Sequence, residues 1–349
     1  MSMIISLIKK ETTHIVRDKR TMLITLLMPL VLLLLFGFAI STEVNNVRIV
    51  VVVDRHTDRT RQIVEKFRVN DYFTFQGLVS AGDVEYLLRT GKTDAALFLR
   101  NDNGRLKSQI VVDASNTTSA QAMTGYIEAV LHGGSVAYPV LTHTLYNPQM
   151  KSAYNFVPGI MGMIFILICA IMTSVSIVRE KETGTMDLLL VSPIKPSTII
   201  LGKLVPYFLL SCIILTIMLL IAYTLLGLPF SAAAVNVIAI SLIYIVLSLS
   251  IGLLVSTIVS KQLTALIVSA VAFMLPVIML SGMIFPVDNM PLVLQWISCI
   301  IPARWYIEAM RKLMIQQLEM GCVIQEVIIL LSMTLVLLTV SVKKFSSAK

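Results

Sequence analysis

The chain has 349 residues, 56% of them hydrophobic and only 14% charged. Soluble domains carry about 25% charged residues, so this chain has too few to wet a water-facing surface throughout, and a purely soluble globule is excluded. The formal net charge of +8 is spread over short segments beside long apolar runs, which argues against a nucleic-acid-binding face.

Residues 1–20 place Ile4, Leu7, Ile8 and Ile15 at helical spacing, with Lys9, Lys10 and Arg17 able to face headgroups. That pattern predicts a helix lying on the cytoplasmic membrane surface, although Glu11 interrupts its apolar stripe. Residues 21–42 carry no charge, long enough for a first transmembrane helix. Their apolar run exceeds a signal-peptide core and no clear A-x-A site follows, so the segment reads as an uncleaved anchor.

Residues 43–155 have ordinary charge density, with 12 basic and 11 acidic side chains over 42–155. Val47 to Val53 reads as a buried strand, 58–68 as a helix and Tyr72 to Val79 as a strand. A helix over Asp83 to Arg89, strands over Asp94 to Leu99 and Gln109 to Val112, and a helix over Ser119 to Leu131 complete a small α/β domain. Gly91-Lys92-Thr93 mimics the end of a phosphate loop, but Tyr86 stands where the first glycine belongs and the triplet follows a helix, so it reads as a helix-to-strand turn. His56, His132 and His143 have no metal-ligand spacing. Asn116-Thr117-Thr118 matches a glycosylation sequon and reads better as a helix-start cluster.

From residue 156 onwards the charge-free intervals are 152–178, 204–260, 262–287 and, more weakly, 327–342. The 57-residue interval is broken by Gly227-Leu228-Pro229, which favours a helical hairpin. Six transmembrane helices are therefore expected, near 22–41, 157–178, 204–226, 233–259, 263–285 and 323–342. Segments 1–20, 179–203, 261 and 343–349 hold 13 basic and 5 acidic residues. Six spans put all of them on one side, so both termini are expected in the cytoplasm and 43–155 outside it. The expected fold is thus an α-helical polytopic membrane protein with an inserted extracytoplasmic α/β domain and an N-terminal interfacial helix.

None of the charge-free intervals holds an ionisable group, which disfavours a proton- or sodium-coupled carrier. The methionines and the Ser and Thr within the spans suit an apolar or amphipathic cargo and equally suit ordinary helix packing. Cys169 and Cys212 lie in spans, while Cys299 and Cys322 fall outside, where a disulfide is permitted but not fixed.

The most informative stretch runs from Arg179 to Pro193, REKETGTMDLLLVSP. It offers a charged turn after a span and then a short apolar helix stopped by proline. The plain reading is a membrane-surface loop with flanking charges; such a helix also suits docking into a groove on a cytoplasmic protein. The run resembles the signature of type-2 ATP-binding-cassette (ABC) exporter permeases, with an acidic-basic-acidic triplet, Gly-Thr, an acidic residue, leucines and Ser-Pro. Further segments match in order: His14 to Thr21 with Arg17 and Asp18, Met28-Pro29, Phe36 to Ala39, Phe156 to Gly159, Ser281 to Pro286, Asn289-Met290-Pro291, and Pro302 to Tyr306 with Arg311. The likeness covers essentially the whole chain. Val53-Asp54 and Asp113 to Asn116 resemble the subgroup with a large external domain.

The resemblance implies a coupling helix over 180–193 that contacts a separate ATPase subunit through Arg179, Glu180, Lys181, Glu182, Gly184, Thr185, Asp187, Leu188, Ser192 and Pro193. Asp187 stands where many relatives have Glu. It also implies a re-entrant segment over 286–322 capping the exit path, with Ser281, Gly282, Phe285, Pro286, Met290, Pro291, Pro302 and Arg304 as gate residues. The sequence shows no phosphate loop, so ATP and Mg are expected on the partner and no cofactor on this chain. A second permease copy or a paralogue completes the assembly. An adaptor and an outer-membrane channel enter by analogy alone. The expected function is an inner-membrane exporter permease. The competing reading is an ATP-driven mechanical transducer that moves nothing across the membrane.

Overall fold

The computed structural model describes residues 2–36, 47–54, 57–70, 72–102, 105–112, 117–132, 152–186, 196–230 and 233–347. The chain divides into two compact units, Met1–Ile40 together with Ser152–Lys349, and Ser41–Lys151.

The first unit is helical. It begins with α1 (Ser2–Arg17) and α2 (Lys19–Leu34). Five helices among the described residues are long and apolar enough to cross a membrane: Phe156–Glu182, Thr198–Thr224, Ala234–Ile258, Gln262–Leu280 and Met320–Phe345. Of the six expected spans, the first is described only to residue 36, with Met22–Leu34 as a shorter apolar helix. The flanking elements are α6 (Ser152–Glu182), α7 (Pro196–Thr224), α8 (Ala234–Ile258) and α9 (Gln262–Leu280). Two short helices, α10 (Leu292–Ser298) and α11 (Pro302–Met310), precede a π-turn at Arg311–Ile315 and the last helix, α12 (Ile324–Ser347). The 31 residues of α6 extend about 46 Å, more than the ~30 Å hydrocarbon core, so its charged end has room to leave the apolar layer.

Helices α6 and α8 form the buried centre, where Gly252 permits close approach: a Cβ there would lie 2.6 Å from the Ala170 carbonyl oxygen and 2.9 Å from its Cα. Two of the buried tyrosines in this centre are paired, as an apolar medium favours. The Tyr244 hydroxyl donates to the Gly162 carbonyl at 3.0 Å, and the Ser241 and Tyr306 hydroxyls lie 2.9 Å apart. Helix α9, by contrast, exposes Leu263, Ile267, Val271 and Leu275, an apolar stripe at near-helical spacing suited to a hydrocarbon environment.

The second unit is a four-stranded sheet of order β2-β1-β3-β4, from β1 (Val47–Val53), β2 (Phe73–Leu78), β3 (Ala95–Asp102) and β4 (Arg105–Val112). β1 is parallel to both β2 and β3, while β3 and β4 form an antiparallel pair. Pairing along β3 draws β4 back to Arg105, four residues before the start expected from apolar pattern alone. Val47, Ile49, Val51, Ala95, Leu97 and Leu99 pack on one face against α3 (Asp58–Val69) and α5 (Thr117–His132), through Phe67, Met123 and Ile127. Val50 and Ala96 turn the other way, towards Val84 of α4 (Val84–Arg89). This alternation is the two-residue strand period with both faces covered. Gly91 at φ +62° ends α4, and the Thr93 hydroxyl donates to the Arg48 carbonyl at 2.8 Å, so the Gly-Lys-Thr triplet is a structural turn.

Candidate functional site

Helix α6 runs without interruption through Glu182, so Arg179 to Glu182 are its last turn and the expected 180–193 helix begins later. The chain breaks at Thr183-Gly184, where Gly184 adopts φ +72°, the left-handed conformation usual just past a helix C-terminus. The Thr183 hydroxyl donates to the Arg179 carbonyl at 2.9 Å and the Thr185 hydroxyl to that of Glu180 at 3.3 Å, satisfying acceptors that the ended helix leaves open. Met186 then anchors the next turn among Ile177, Ile200, Leu253 and Phe345. Asp187, Leu188, Ser192 and Pro193 lie outside the described residues.

Each residue of the acidic-basic-acidic triplet holds a different helix. Glu180 sits 2.9 Å from Lys10 of α1 and 2.9 Å from Lys203 of α7, and Lys203 lies 3.0 Å from Glu11. Glu180, Lys203 and Glu11 are all buried. Lys181 donates to the Ser256 carbonyl in the last turn of α8. Glu182 accepts from the backbone N–H and the side-chain amide of Gln262, at 3.2 and 2.8 Å, at the first turn of α9. A cation at a helix C-terminus and an anion at the next N-terminus both have the favourable sign for the helix dipole.

Glu180 bridges Lys10 and Lys203 within the chain, while Glu182, Thr183, Gly184 and Thr185 are the exposed residues of the turn, with Arg179 beside them. Sequence reasoning missed Lys10, Glu11 and Lys203. Glu11 had left a trace, as the one acid breaking the apolar stripe of α1.

At the other end of the spans, α9 stops at Ser281-Gly282, where the Ser281 hydroxyl bonds the Val277 carbonyl and Gly282 takes φ +82°. Arg311 donates to the Gly282 carbonyl at 2.8 Å, tying that turn to the end of α11. Arg304 reaches back to the carbonyl of Gln295 at 3.1 Å and lies 5.0 Å above the Trp305 ring, so it joins α10 to α11. Pro302 occupies the first turn of α11, where a missing N–H is harmless. Phe285, Pro286, Met290 and Pro291 line an apolar recess of about 570 Å³ together with Leu275 and Met279. Pairing of Lys312 with Glu326 and, at 3.4 Å, with Glu308 was not foreseen from the sequence. Burial alone would lower the Lys312 pKa, but the two carboxylates outweigh it and raise it above the ordinary lysine value. Cys299 and Cys322 are exposed free thiols.

Residues 19–343 match the family described as "ABC-2 family transporter protein". The chain is 29% identical over 324 residues to "Probable multidrug ABC transporter permease YbhS" of Escherichia coli K12, covering 87% of this chain and 86% of that protein. It is 28% identical over 336 residues to "Probable multidrug ABC transporter permease YbhR" of the same bacterium, covering 91% of each. Similarity to "Inner membrane transport permease YhhJ", also of Escherichia coli K12, is 27% over 218 residues, covering 57% of this chain and 56% of that protein.

Proposed function

The chain belongs to the ABC-2 family of transporter proteins, and on that premise we propose that it is the membrane-spanning permease subunit of an ATP-driven exporter. ATP is hydrolysed on a separate cytoplasmic ATPase, and two permease copies, or this chain and a paralogue, face each other across the export path. The first span covers 21–42, both termini are cytoplasmic, and residues 43–155 form an extracytoplasmic domain. Lys and Arg concentrated beside one set of span ends support that orientation. The cargo is an apolar or amphipathic compound, a reading supported by the names of two relatives as multidrug permeases.

One observation carries the mechanism: the exposed turn Glu182 to Thr185 continues directly from Glu180 and Lys181, which hold the middle of α1, the early turns of α7 and the end of α8, while Glu182 itself holds the start of α9. An ATPase that pushes on this turn moves four helices at once. Short, charge-assisted contacts make the connection stiff enough to transmit displacement. The re-entrant pair α10 and α11, held by Arg304 and Arg311, closes the opposite end of the path.

Affinity purification of the tagged chain from its native host, followed by ATPase assay and by efflux measurement in a deletion strain, tests the proposal. The expected result is a co-purifying ATPase and lost efflux of at least one amphiphile. Absence of any ATPase would overturn it; an ATPase with no change in efflux would favour mechanical transmission to an extracytoplasmic partner.

A further inference from the structure

A two-part recess opens beside the triplet. Its inner chamber, about 570 Å³, lies between α1, α2, α6, α7 and α9 and is walled on one side by Ile15, Met22, Ile171, Met172, Val175 and Leu266. An outer mouth of about 730 Å³ is lined by Lys9, Lys10, Arg17 and Arg179, with His14 and one acid, Asp18. Lys10, His14, Asp18 and Arg179 border both spaces, so the two are continuous. Along α6 the recess extends from Arg179 to Ile171, about 12 Å at 1.5 Å per residue.

We propose that this recess binds one anionic amphiphile, a phosphate-bearing lipid of the cytoplasmic leaflet, with its headgroup among Lys9, Arg17 and Arg179 and its acyl chain against Met172, Val175 and Leu266. The division of chemistry selects the ligand. A soluble anion would fill the mouth and leave the apolar wall wet, whereas an uncharged hydrophobe would strand the cations. A cationic amphiphile finds no free acid, because Glu11 and Glu180 at the chamber already sit within 3.0 Å of Lys203, Glu180 within 2.9 Å of Lys10, and Asp18 is itself engaged within the chain. Lys9, Arg17 and Arg179 form no ion pair among the described residues, so the mouth carries uncompensated positive charge. Juxtamembrane cations of this kind are attracted to anionic headgroups, and the apolar wall adds a depth that surface attraction alone does not need.

The inference rests on the proposed function in placing this end of the spans at the cytoplasmic leaflet, and the chamber shares Thr183 and Thr185 with the turn proposed to meet the ATPase. To test it, the full-length protein is purified from its native host, with whatever ATPase accompanies it, and placed in phosphatidylcholine nanodiscs containing phosphatidylglycerol with a photoactivatable acyl chain. Crosslinked peptides are then mapped by mass spectrometry. Crosslinks are expected at Met22, Met172 and Leu266, and inorganic phosphate in excess should leave them in place. Labelling should fall at least about tenfold when the probe is a phosphatidylcholine of equal chain length, or when Lys9→Gln and Arg17→Gln are combined. Val175→Trp, which fills the chamber, should abolish it. Equal labelling by the zwitterionic probe, or undiminished labelling in the charge variant, overturns the inference. Displacement by inorganic phosphate overturns it too, by assigning the mouth to a soluble anion. ATPase retention in the same preparations reports separately on the proposed function: absence of labelling in the parent protein with the ATPase retained removes the lipid site alone.

Discussion

Glu11 of α1 and Lys203 of α7 lie 3.0 Å apart, both almost wholly buried, although 192 residues separate them in sequence. The pair fastens the amphipathic α1 to the start of a membrane-spanning helix, and through Lys203 it continues to Glu180. Removing one member of such a set leaves a charge in an apolar setting without its counter-ion. Lys203→Met should therefore destabilise the protein by about 3–5 kcal/mol. Adding Glu11→Leu should recover part of that loss, because Glu180 keeps Lys10. Thermal unfolding of the purified variants in detergent measures both, and equal loss in single and double variants would refute the coupling.

Glu180 and Glu182, two residues apart, should respond differently. Glu180→Gln weakens a buried bridge and is expected to lower unfolding temperature. Glu182→Ala leaves that bridge intact but removes the anchor on the α9 N-terminus, so it should reduce substrate-stimulated ATP hydrolysis of the assembled complex with little change in stability. The paired measurements are unfolding temperature and stimulated turnover; identical profiles for the two variants would contradict the division of roles.

Gly252→Ala should be poorly tolerated because its new Cβ meets backbone of α6, which cannot rotate away. A loss of about 1–3 kcal/mol is expected from such overpacking. Gly125→Ala in α5 meets nothing within 4 Å and should instead stabilise by about 0.5–1 kcal/mol, through helix propensity. Unfolding curves for the two variants should shift in opposite directions.

Lys312 supplies a pH dependence. Its pKa is raised in the folded protein, so the stabilisation it brings is fully present below the unfolded lysine value of about 10.5 and is lost as pH rises through the higher folded value. Unfolding temperature should thus fall above about pH 10.5 more steeply in the parent than in Lys312→Gln. Parallel alkaline limbs would show that the pairs with Glu326 and Glu308 contribute nothing measurable.

Sequence alone determined the elements whose cause is local. Long uncharged stretches make the five apolar helices from Phe156 onwards, continuous apolar runs make β1 and the start of β3, and Gly184 after a charged helix end makes a turn. The same locality made the triplet stand out and brought the family resemblance into view. What Glu180, Lys181 and Glu182 bind was settled only by the fold, since their partners Lys10, Ser256 and Gln262 are 170, 75 and 80 residues away. The family resemblance named Glu180 as a contact for another protein. Tertiary packing encloses Glu180 between two lysines, because helices crowded together exclude water and a buried carboxylate must then find its cations within the chain.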